Sequence, residues 1–134
     1  MKMNDESIQY KGEEYKLVFN LNVMQDIQEQ YGSIDEWGEV TGAGVQRDEN
    51  GNEILDAEGN PVGVEPDAKS ILFGLTCMLN EGIDIYNEEH ETDRKPLTQR
   101  QVGRMMTDIG LQEISKKMHQ TVINSTTSDE PKNE

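Results

Sequence analysis

The spacing of apolar positions changes period along the chain, and each change marks a boundary between elements. Ile8 and Tyr10, then Tyr15, Leu17 and Phe19, alternate with polar residues on either side of Lys11-Gly12-Glu13. Alternation broken by a glycine-containing turn predicts a β-hairpin over residues 7–19. Beyond it the spacing becomes three and four: Val23, Met24, Ile27 and Tyr31 predict a helix capped by Asn20 or Asn22 and stopped at Gly32. Ser33-Ile34-Asp35-Glu36 has the form of a capping box, in which the serine oxygen accepts from the amide three residues on and the glutamate reaches back. A short helix through Trp37 to Val40 follows from it.

From Thr41 to Glu65 the helical period is lost. Asp48-Glu49-Asn50-Gly51 and Ala57-Glu58-Gly59-Asn60 are turn sequences between short segments, so a β-meander or a turn-rich excursion is expected, with too few apolar side chains for stability of its own. Pro66-Asp67 opens the most apolar helix, whose stripe Ala68, Ile71, Leu72, Leu75, Met78 and Leu79 ends at Gly82. Ile83 to Pro96 reads as a polar connection across the surface. Thr98-Gln99-Arg100-Gln101 is a second capping box, followed by Val102, Met105, Met106 and Ile109 on one face and a break at Gly110. Leu111, Ile114, Met118 and Val122 carry a last helix, and no internal repeat of useful length is visible. The expected architecture is mainly α with a small N-terminal β-hairpin (α+β): a helical bundle over residues 1–125 with an insertion at about 41–65, then a disordered acidic tail over 126–134.

Composition narrows the function. A length of 134 residues fits one domain. Twenty-seven acidic against twelve basic residues give a formal charge of −15, which repels phosphate backbones and anionic lipid surfaces, so neither nucleic acid nor membrane is expected as a partner. The apolar fraction of 33% and mean hydropathy of −0.81 predict a small core. A single cysteine, Cys77, lies within the apolar run, and residues 1–6 hold no apolar leader; the expectation is a reducing cytoplasm.

Catalytic and metal chemistry finds little footing. His90, His119 and Cys77 are scattered, where a zinc site needs converging donors. Asp48-Glu49-Asn50-Gly51-Asn52-Glu53 begins like a calcium loop, but Glu53 displaces the turn glycine and Gly59 stands where the bidentate glutamate belongs. No nucleophile elbow or phosphate-cradling glycine loop occurs. An enzyme is not expected, and no cofactor is implied. Methionines at helical spacing fit core packing or an adaptable binding groove; on the second reading the groove is lined by exposed members of the set Leu75, Met78, Leu79, Met105, Met106 and Met118.

Three stretches carry a family likeness: Tyr15 to Ser33, ending in Tyr-Gly-Ser; Leu79-Asn-Glu-Gly-Ile-Asp-Ile85; and Pro96-Leu-Thr-Gln-Arg-Gln-Val-Gly-Arg104 with the helix behind it. In that order, hairpin, capped helix, core helix and two terminal helices, the chain resembles the tail assembly chaperones of long-tailed phages and prophages of Gram-positive hosts, over most of residues 7–125. The resemblance implies a protein that coats the tape-measure protein and keeps it soluble until tail tube subunits replace it. It implies action in the bacterial host cytoplasm, absence from the mature virion, the tail tube protein as a further partner and room for a homo-oligomer. The rival readings are an acidic DNA-mimic inhibitor of a host or defence enzyme, which the charge permits, and a structural tail or head-completion protein.

Overall fold

In the computed structural model, residues 6–43, 45–63 and 67–127 are described, without the side chains of residues 42, 43, 126 and 127. The fold is mainly helical with a small N-terminal hairpin. Strands β1 (Ser7–Tyr10) and β2 (Glu13–Lys16) pair antiparallel with Tyr10 opposite Glu13. The two-residue turn between them needs positive φ at both positions, and Lys11 (51°) and Gly12 (84°) supply it. Leu17 and Phe19 continue the alternation past the strand into the core.

Helix α1 (Leu21–Tyr31) is capped by Asn20, whose Oδ1 accepts from Val23 N at 3.2 Å, and ends at Gly32 with φ 93°. In α2 (Ile34–Gly38) Ser33 caps as expected, while the Glu36 carboxylate lies over Gly32, where a Cβ would meet it at 2.6 Å. The chain then widens into a π-helical turn, Glu39–Ala43.

The largest correction concerns α3, which runs without interruption from Ala68 to His90, straight through Gly82. At 23 residues it is roughly 34 Å long, the axis of the molecule. Its glycines are notches. A Cβ on Gly74 would lie 2.3 Å from Trp37 Cζ2, and one on Gly82 would lie 2.6 Å from the Lys16 carbonyl oxygen. Trp37 thus packs close against the helix and donates from Nε1 to the Ser70 carbonyl at 3.1 Å, while Val18 N reaches the Met78 carbonyl at 3.4 Å. The helix ends instead at Glu91, which takes the left-handed conformation. Leu79, Ile83, Tyr86 and His90 keep the helical spacing beyond Gly82, a signal that the charged residues between them obscure.

The chain returns along α3, and two helix asparagines a double turn apart hold it. Asn80 exchanges hydrogen bonds with Leu97 O (3.0 Å) and Leu97 N (2.7 Å), and Asn87 does the same with Arg94 O and Arg94 N, both at 3.0 Å. Helix α4 (Gln99–Ile109) starts in the full capping box of Thr98 and Gln101, and α5 (Leu111–Thr127) follows Gly110. The tail expected over 126–134 therefore begins inside the last turn of α5, and residues 128–134 lie outside the described residues.

The excursion folds on itself, and it does carry a repeat, Asp-x-x-Gly-Asn at Asp48 and again eight residues later at Asp56. In each copy the aspartate Oδ1 accepts from the amides two and four residues on, at 2.9 to 3.0 Å. Gln46 N donates to Val62 O, Val62 N to Ile54 O and Ile54 N to Gln46 O, at 2.8 to 2.9 Å, closing a triangle of three short bridged segments. Hydrophobic periodicity passed over this small β-prism because its order comes from turn chemistry and backbone bonds rather than a buried face. Its ends meet at the Val45–Gly63 bridge, and Asp67 N to Val40 O closes the neck below.

Two predictions follow from these contacts. Gly82→Ala should lose roughly 1–2 kcal/mol, because overpacking against backbone exceeds alanine's helix-propensity gain, whereas Gly103→Ala, with nothing within 4 Å, should gain up to about 1 kcal/mol; urea unfolding reads both. Replacing residues 46–62 by two glycines should leave helical circular dichroism and the thermal midpoint of the body nearly unchanged, a shift worth less than about 1 kcal/mol. Loss of the cooperative transition would show that the body needs the prism.

Candidate binding pocket and polar seam

The six residues expected to line an exposed groove are brought together, but facing inward. Leu75, Met78 and Leu79 on α3, Met105 and Met106 on α4 and Met118 on α5 are all buried, none more than 7% exposed. In a core this small, stripes on three adjoining helices cover one another, so that apolar surface is spent on folding. An exposed groove built from these six is absent from the described surface.

The chemistry of the remaining candidates is equally bland. Cys77 is half-buried, and burial pushes its thiol up to about 11, which leaves little thiolate at neutral pH. Among the described residues no three His, Cys, Asp or Glu side chains converge to hold a metal. Asp48, the first position of the calcium-like run, has one carboxylate oxygen taken up by turn amides. No described helix is long and apolar enough to cross a membrane.

A concave site does exist where sequence reasoning placed only a surface connection. Between the hairpin and the C-terminal half of α3 lies a cavity of about 220 Å³, walled by Tyr15, Val18, Ile83, Ile85, Tyr86 and Arg94. The Arg94 guanidinium lies over two rings, 5.4 Å from the centre of Tyr15 and 5.1 Å from that of Tyr86, and 3.3 Å from Glu13 Oε1. Tyr86 in turn stacks on His90, with centroids 4.1 Å apart. Each part has a local cause. β2 presents Tyr15, the extra turns of α3 present Tyr86 and His90, and Asn87 fixes the backbone of Arg94. An arginine held over two tyrosine rings is pre-organised, so little side-chain entropy is lost when a partner packs on it. Tyr86 is 39% exposed and available. Such a wall can take an apolar or aromatic side chain and hydrogen-bond its flank.

A separate polar seam joins the π-helical turn to α5. Thr41 is fully buried; its hydroxyl donates to Trp37 O at 2.9 Å and so accepts from His119 Nε2, also at 2.9 Å. Ser115 Oγ donates to Thr41 O at 3.0 Å and lies 3.4 Å from His119 Nδ1. The serine proton is engaged by a carbonyl, so the pair is a structural tie rather than a nucleophile and its base. His119 is half-buried and packs edge-on against Trp37 at 6.4 Å.

Burial lowers the His119 pKa below its ordinary 6.5. The unfolded chain therefore binds the proton more readily, and stability contributed by the neutral ring is present above about 6.5 and lost as pH falls from there through the lower folded value. His119→Gln keeps an amide donor toward Thr41 without titrating. Urea unfolding at about pH 7.5 and 5.5 should show this acid-sensitive component in the native chain and not in the variant. Parallel pH profiles would remove His119 as its source.

Compared with protein-family models, curated proteins and solved structures, the chain matches none of them.

Proposed function

We propose that the chain is a non-enzymatic binding protein, a phage tail assembly chaperone that holds the tape-measure protein soluble in the host cytoplasm and leaves before the virion is complete. The observation that carries the binding part is the pre-organised Tyr15–Arg94–Tyr86 wall beside an open apolar cavity. Tyrosine and arginine are the side chains that most often dominate binding energy at protein interfaces. The phage assignment rests on the likeness of the three stretches named above. Relative to the sequence-based expectation the contact moves from the methionine stripes to this wall, because the methionines are occupied by the core. The charge of −15 then keeps the chain and its cargo dispersed.

The test is co-expression with the tape-measure protein encoded beside it. The native chain should hold that protein in the soluble fraction. Tyr86→Ala with Arg94→Ala should weaken the complex by about 2 kcal/mol, roughly 30-fold, while the fold persists. A tape-measure protein equally soluble with and without this chain sinks the chaperone reading, and full binding by the double variant sinks the assignment of the pocket.

A further inference from the structure

Charge is balanced on one side of the Tyr15–Arg94–Tyr86 cavity and not on the other. On the hairpin side opposite charges offset one another: Glu13 pairs with Arg94 at 3.3 Å, and Glu14 and Lys16 stand two positions apart on one face of β2. The helix side has no such balance. From Glu81 to Glu91, α3 and its cap hold Glu81, Asp84, Glu88, Glu89 and Glu91 without a lysine or arginine. None of the five is in an ion pair among the described residues.

These acids stand where helix physics disfavours them. Glu88, Glu89 and Glu91 crowd the C-terminal end of α3, whose free carbonyls already carry partial negative charge, and Asp84 and Glu88 are like charges four residues apart. The acidic strip also surrounds apolar surface. Ile85, half-buried on the cavity wall, has Glu81, Gly82, Glu88 and Glu89 as its helix neighbours three and four positions away. Glu81 accepts from Nδ2 of Asn20 at 2.8 Å and of Asn22 at 3.1 Å. Between those two in the chain stands Leu21, at 77% the most exposed large apolar side chain among the described residues.

We propose that this surface takes a cationic amphipathic segment of a partner protein, with its apolar side chains in the cavity against Ile85 and Tyr86 and its lysines or arginines on Glu88 and Glu89. The stems of such basic side chains cover Ile85 while their heads reach the carboxylates on either side. Bound cations relieve the repulsion that the free helix end carries, so binding gains from a charge arrangement that folding alone does not favour. An acidic segment would add its own charge to five unpaired carboxylates. The inference rests on the cavity wall being the contact surface, and adds the sign of charge that the wall accepts.

Fluorescence anisotropy on the full chain at about 0.15 M salt tests this with two labelled peptides, one of leucine and lysine at helical amphipathic spacing, the other with glutamate for every lysine. The lysine peptide should bind at least about 10-fold more tightly than the glutamate peptide. Glu88→Gln with Glu89→Gln should weaken it about 10-fold with native circular dichroism. The same change of charge in the prism, Glu49→Gln with Glu58→Gln, should weaken it less than about 2-fold. Equal loss from the two pairs overturns the proposal by tracing the attraction to net charge, and equal binding of the two peptides overturns it while leaving the wall in place. Lysine-peptide binding that ignores Tyr86→Ala with Arg94→Ala removes the wall and this inference together.

Discussion

Everything in this fold depends on how closely other segments approach the long axis of α3. Trp37 is only 1% exposed and lies where a Cβ on Gly74 would be, and the backbone leaving β2 lies where a Cβ on Gly82 would be. Two glycines eight residues apart set two depths of approach on one helix. The first allows the indole to reach the Ser70 carbonyl, so that a buried N–H is satisfied; left unpaired it would cost about 1–3 kcal/mol. The second lets the hairpin bond its Val18 amide to a helix carbonyl. Glycine inside a helix is ordinarily a weakness of about 1 kcal/mol relative to alanine. Here the lost propensity is offset by packing that no larger residue permits.

The same axis builds the Tyr15–Arg94–Tyr86 wall. Because α3 continues to His90, Tyr86 stands opposite the hairpin's Tyr15, and because Asn80 and Asn87 grip the returning chain, Arg94 falls between them. Side-chain amides do here what a neighbouring strand would do, satisfying both the N–H and the C=O of an otherwise irregular segment. The wall is therefore rigid although its arginine comes from a loop.

Charge is distributed unevenly enough to matter. The overall excess of acid discourages nonspecific contact, yet the exposed face of α4 keeps two arginines, Arg100 and Arg104, without ion partners among the described residues, and the prism concentrates carboxylates above its neck. A uniformly acidic surface would suit imitation of nucleic acid better than this polarised one does. Unevenly placed charge suits specific contact between proteins.

By itself the sequence determined the hairpin, the caps at Ser33 and Thr98, the stop at Gly32 and the stripes that form the core, because each depends on residues within one or two turns of one another, and it narrowed the cap of α1 to Asn20 or Asn22. It pointed to the correct core residues but left open whether they pack inward or line a groove, since a stripe looks the same whether a neighbouring helix or a partner covers it. Tertiary structure decided the rest. Whether Gly82 ends a helix or admits a strand depends on Lys16, 66 positions away. Whether Tyr86 and Arg94 are scattered surface residues or one wall depends on Asn87 and on the hairpin. The prism lay between these extremes, its repeated Asp-x-x-Gly-Asn plain in the chain but its closure a matter of three backbone bonds that no side-chain pattern records. Local order follows from short-range sterics and hydrogen bonding, whereas a site arises where distant segments meet, and only the folded chain decides which of them do.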